Sequence, residues 1–143
     1  MKKILLVLSV FVTVAVSAQK SADAPAAAKA AFAKAYPTVT KVSWEKEDGN
    51  FEASFDLKGN KTSVIYNAKG VMQESEMEIK ASELPAAVTT YMKEHYKGVA
   101  LKGGAKITKA DGSTNYEAAI KGKDVIFDAN GKFIKEEKIS EKD

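Results

Sequence analysis

Helical spacing of apolar residues occurs twice along the chain, and each time a stretch of strict alternation follows it. Ala28, Phe32, Ala35 and Tyr36 recur at the interval of an α-helix. Pro25 opens this helix, because its fixed φ suits a first turn, and Pro37 closes it by pushing the preceding residue toward extended conformations. From Thr40 the period becomes two. Thr40, Val42, Trp44 and Lys46 alternate with Lys41, Ser43, Glu45 and Glu47 as in a half-buried strand, and Asp48-Gly49 predicts a two-residue hairpin turn. That turn pairs Lys46 with Phe51 and Trp44 with Ala53, gathering the large apolar residues on one face; a one-residue slip would scatter them. A turn over Lys58-Gly59-Asn60-Lys61 is expected to set Phe55 against Val64, with Tyr66 on the same face and Ile65 on the other. After Asn67-Ala68-Lys69-Gly70 comes a fourth strand, Val71 to Ile79, where a bulge at Gly70 decides whether Val71 or Met72 joins the core. Glu74, Glu76 and Glu78 line one face of it.

The pattern then restarts. Ser82 is the expected N-cap of a helix carrying Leu84, Val88, Tyr91, Met92 and His95 on its apolar stripe and ending near Gly98. A strand from Val99 to Lys109, bent at Gly103-Gly104, is followed by an Asp111-Gly112 turn and a strand over Asn115 to Lys121. The next turn, at Gly122-Lys123, is expected to set Ile120 against Val125 and Ala118 against Phe127. Asn130-Gly131 leads to a last strand, Lys132 to Glu137. The two halves also share their wording. Phe51-Glu52-Ala53-Ser54-Phe55 returns as Tyr116-Glu117-Ala118-Ala119-Ile120, and Val64-Ile65-Tyr66-Asn67-Ala68-Lys69-Gly70 as Val125-Ile126-Phe127-Asp128-Ala129-Asn130-Gly131. The fold class predicted is α+β: a tandem repeat of two helix-plus-four-stranded antiparallel sheet units, residues 25–80 and 81–138, with the helices on one sheet face and the other face open.

The ends of the chain read differently. Lys2 and Lys3, the apolar run Ile4 to Val16 and the small residues before Gln19 predict a signal peptide over 1–18, cleaved near Ala18. The run is short for a membrane span of roughly 20 residues, so no stable membrane insertion is expected after cleavage. The expected location is the periplasm or the medium. Residues 19–24 are expected to be a flexible N-terminus and 139–143 a charged tail.

Composition narrows the chemistry. There is no cysteine, which excludes disulfides, thiol catalysis and cysteine-held zinc. The formal charge of +3 includes Lys2 and Lys3. All the basic residues are lysines, interleaved with acids, whereas base readers rely on arginine for bidentate contacts. No nucleic-acid partner is expected. His95 is the single histidine, with no nucleophile, orienting partner or ligand cluster legible around it. The glutamate stripe sits at intervals of about 7 Å along a strand, unlike the tight oxygen cage of a calcium loop. No catalytic residue, metal site or cofactor is assigned, and the chain is expected not to be an enzyme.

The run Leu84-Pro85-Ala86-Ala87-Val88 through His95-Tyr96, with Tyr116-Glu117-Ala118 and Val125-Ile126-Phe127-Asp128-Ala129-Asn130-Gly131, resembles the PepSY-like family of exported, beta-lactamase-inhibitor-like proteins common in Bacteroidota. The resemblance covers nearly the whole mature chain and implies a fold similar to that of the beta-lactamase inhibitory protein. It brings no catalytic residues with it. The function expected is an exported binding module that engages a protein or peptide through the open sheet face. Its alternatives are inhibition of a periplasmic hydrolase and metal binding by the acidic stripe. The candidate partner-binding residues are Ile65 and Ile126, equivalent outward positions, beside Met72 and Phe133, with Glu74 and Glu76.

Overall fold

A computed structural model describes residues 23–139. The expected signal peptide, most of the N-terminal segment that follows it and residues 140–143 lie outside the described residues. The element order is α1 (Ala26–Ala35), β1 (Ser43–Glu47), β2 (Asn50–Leu57), β3 (Asn60–Tyr66), β4 (Met72–Ile79), a 3-10 turn (Ala81–Glu83), α2 (Ala86–His95), β5 (Gly103–Lys109), β6 (Thr114–Ile120), β7 (Lys123–Asp128) and β8 (Phe133–Lys138). The strands form one antiparallel sheet in the order of the sequence, each hydrogen-bonded to the next. The helices cover one face of it.

Each helix follows a proline, Pro25 or Pro85, and ends at a tyrosine whose backbone N–H bonds to the carbonyl of the fourth residue before it. Ser82 lies in the 3-10 turn and caps no α-helix; there the Glu83 carboxylate accepts the backbone N–H of Lys80 at 2.8 Å. Ala28 and Phe32 of α1 are buried against Trp44, Phe51, Ala53, Phe55, Val64 and Tyr66. Val88 and Met92 of α2, with Leu84, are buried against Ala118, Ile120, Val125 and Phe127. These are two separate cores under one sheet.

Their filling differs in a compensating way. Trp44 and Gly104 occupy corresponding places, opposite Ala53 and Ala118 respectively. In the first core the Trp44 indole itself fills this place, whereas in the second the Leu84 side chain fills the space over Gly104, 2.8 Å from where a Cβ would stand. Large faces small in both, which keeps the volume close-packed.

Hairpin geometry fixes the pairing. Asp48 and Gly49, both at positive φ, make the predicted two-residue turn, and Trp44 pairs with Ala53. The next turn is Lys58-Gly59, also at positive φ, so Phe55 pairs with Thr62 and Ala53 with Val64. The expected Phe55/Val64 pairing is off by two residues. The same correction applies to β6 and β7: Ile120 pairs with Lys123, Ala118 with Val125 and Tyr116 with Phe127. β5 begins at Gly103, not at Val99.

The β3–β4 and β7–β8 turns share one device. Oδ1 of Asn67 accepts the backbone N–H groups of Lys69 and Val71; Oδ1 of Asp128 accepts those of Asn130 and Lys132. The turn glycine then enters the left-handed region, at φ +78° for Gly70 and +79° for Gly131, pressed against the first turn of a helix. A Cβ on Gly70 would stand 2.5 Å from the Ala27 carbonyl oxygen, and one on Gly131 would stand 2.6 Å from the Ala87 Cβ. Gly131→Ala is expected to lower stability by about 2 kcal/mol, combining left-handed strain with a forced shift of α2. Urea unfolding reads it, and a loss under about 0.5 kcal/mol would show that the turn and helix are not held together.

Candidate functional site

Strand alternation sends half of the sheet's side chains away from the helices, and pairing places them in rows. Glu52, Ile65 and Glu74 form one row across β2, β3 and β4, continued by Lys109 of β5. Ser63, Glu76, Ile107 and Asn115 form the next. Glu78, Ala105, Glu117, Ile126 and Lys135 form a third, and Gly103, Ala119, Asp124 and Glu137 a fourth. Carboxylates and apolar side chains thus interleave across the middle of the sheet. The centre is deep: Ile65, Ile107, Glu117, Asp124 and Ile126 are all buried, while Glu52, Glu74, Glu76 and Glu78 are half-buried. Toward β1 and β2 the face opens, with Glu45, Ser54 and Asp56 exposed.

Crowding of like charge shows in the carboxyls. Burial pushes Glu76 up to about 9, reinforced by Glu117, Glu74, Asp124 and Glu52. Glu52 is also raised, mainly by burial, with Glu47 and Glu45 adding to the effect. Glu74 is raised by burial, while the ammonium groups of Lys109 and Lys135 pull the other way. Desolvation and like charge act together on Glu76, and both favour its neutral form.

The candidate residues divide between the two faces. Ile65, Ile126, Glu74 and Glu76 lie on the face away from the helices. Ile65 and Ile126, expected as surface residues, are 6% and 3% exposed and form its floor. Met72 and Phe133 do not join them. Met72 pairs with Tyr66 and packs against the first core, leaving Val71 exposed. Phe133 pairs with Phe127 and stacks on Tyr91 of α2, ring centroids 5.4 Å apart.

A bulge accounts for both departures. Tyr66 faces Met72 but Ile65 faces Glu74, so β4 contains one extra residue there; β8 does the same between Phe133 and Lys135. An extra residue reverses the alternation, and Met72 and Glu74 end on opposite faces. Ile107 and Asp124, central in the rows, were not singled out from the sequence. Ala105, Ile107 and Lys109 do alternate, but their significance needs the β4–β5 pairing, which joins the two halves.

His95 is exposed, its ring stacked on Tyr91 at 4.0 Å between centroids. Asp128 spends Oδ1 on two turn N–H groups. Among the described residues, no group of three or more His, Asp or Glu side chains is arranged to hold a metal ion. Among them, too, no helix is long and apolar enough to cross a membrane.

No protein-family model matches the chain, and no curated protein matches it significantly. Solved structures do. A DUF2874 family protein from Bacteroides uniformis superposes with a TM-score of 0.76 at 20% identity, over 84% of this chain and 93% of that one. A protein from Bacteroides eggerthii described as periplasmic gives 0.75 at 17% identity, over 82% and 90%. A BLIP-like protein from Bacteroides fragilis gives 0.69 at 25% identity, over 83% and 89%. None of these three is described as an enzyme. The eight-stranded antiparallel sheet with two helices on one face is therefore a fold shared with BLIP-like and DUF2874 proteins of Bacteroides.

Proposed function

We propose that this chain is an exported, non-enzymatic binding module that engages a protein or peptide through the sheet face away from the helices. The observation that carries the reading is the face itself. Among the described residues, no helix covers it, yet it has an apolar floor of Ile65, Ile107 and Ile126 framed by carboxylates. An apolar centre within a polar surround is the anatomy of a docking surface. The periplasmic description of the similar protein from Bacteroides eggerthii supports an exported setting. Matching core positions in the two halves, Ala28/Val88, Ala53/Ala118, Val64/Val125 and Tyr66/Phe127, support reading residues 25–80 and 81–138 as PepSY-like repeats.

A photo-crosslinking residue at exposed Ser54, on this face, is expected to capture a partner in periplasmic extract. One at exposed Lys29, on α1, is expected to capture none. Adducts from Lys29 alone would place binding on the helix side and end the reading. A second reading, inhibition of a periplasmic hydrolase, is favoured by the likeness to the BLIP-like protein at 25% identity. It requires that the captured partner be a hydrolase that loses activity when bound.

A further inference from the structure

Charge is divided between the two sides of the sheet. On the helix side the strands carry four lysines (Lys46, Lys106, Lys123 and Lys138) and one carboxylate, Glu136. On the other side lie Glu45, Glu47, Glu52 and Asp56 of the first two strands. Glu74, Glu76 and Glu78 follow on β4, then Glu117, Asp124, Asp128 and Glu137. Only three lysines accompany those eleven carboxylates: Lys61, Lys109 and Lys135. The whole chain has a formal charge of +3, so this face is acidic against the balance of the molecule.

Resting on the binding-module reading, we infer that the occupant of this face is an extended polypeptide segment rich in lysine or arginine, lying along β4. Two features select it. A one-sign face attracts the opposite sign and raises its rate of encounter. Glu74, Glu76 and Glu78 repeat every second residue, about 7 Å apart, the spacing at which an extended segment presents alternate side chains. An acidic or purely apolar segment would leave these half-buried carboxylates desolvated and unmatched, which costs binding energy.

The test titrates the chain from residue 19 onward with three short peptides: lysine alternating with valine, serine with valine, and glutamate with valine. Calorimetry is expected to show saturable binding of the lysine peptide alone, weakening about tenfold or more between low and high salt. Neutralising the strip in the variant Glu52→Gln/Glu74→Gln/Glu78→Gln, which leaves out Glu76 because its carboxyl already holds its proton near neutral pH, should weaken it by about tenfold or more. The control Glu94→Gln, on the exposed side of α2, should leave it unchanged. Circular dichroism confirms that both variants are folded. Equal binding of the serine and lysine peptides, with crosslinks still forming at Ser54, would overturn the cationic occupant and leave the module reading standing. Lysine-peptide binding that survives the triple variant would also overturn it, by placing that peptide elsewhere. No peptide binding together with no crosslink at Ser54 would overturn both.

Discussion

Phe127→Ala is expected to lower stability by about 3–5 kcal/mol, the range for emptying a fully buried aromatic site. Phe127 has no exposed surface, and its ring meets Tyr91 edge-on at 5.3 Å and Phe133 at 6.3 Å between centroids. The helix above cannot settle into the gap easily, because the Gly131 turn holds its first residues and the Tyr96 hydroxyl donates to Glu136 at 2.8 Å near its end. A loss of that size is a large share of the roughly 5–15 kcal/mol that stabilises a typical domain. The consequence is expected to be local. Trp44, the single tryptophan, belongs to the first core, and no side chain is shared between the two clusters. In the variant, far-UV circular dichroism should lose part of its signal at a lower urea concentration than tryptophan fluorescence does. Coincident curves shifted by the same amount would show instead that the β4–β5 ladder makes the two halves one cooperative unit.

The same organisation explains what could be read from the sequence. Period and punctuation fixed the element order: prolines bound both helices, and Asp48-Gly49 gave the first register outright. Two later hairpins were paired two residues out, because Gly59-Asn60 and Gly122-Lys123 look like turn chemistry while the chain turns one residue earlier. Lys58 takes a positive φ that lysine rarely adopts. The error was harmless for the faces, since an even shift keeps every side chain on its side. A bulge is an odd shift, and there the reading failed: Met72 and Phe133 crossed to the helix side. The deeper part of the candidate face was hidden for another reason. Ile107 and Glu76 are neighbours only through the β4–β5 seam between the halves, and repetition within each half carries no information about that pairing.

Glu76 should make stability fall as pH rises. In the unfolded chain its carboxyl titrates near the ordinary glutamate value of 4.5, and in the fold it is raised to about 9. Below about pH 4 both states hold the proton and nothing is lost. Between the two values the unfolded chain releases a proton that the folded chain keeps, so each step upward in pH favours unfolding. Above the folded value the penalty is complete. Glu76 is only half-buried, and solvent screening reduces the expected penalty to about 2 kcal/mol. Glu52 and Glu74 are raised too and act in the same direction. Glu76→Gln removes the titration while keeping the shape, so it should stabilise the protein at pH 8 and leave it unchanged at pH 4. The measurement is the difference in urea midpoint between the two proteins at each pH. A gain that is equal at both values would mean that packing, not charge, governs the site. A loss at pH 8 would mean that the carboxylate is held ionised by a cation, and the repulsion from Glu117, Glu74 and Asp124 would then be the wrong account of this face.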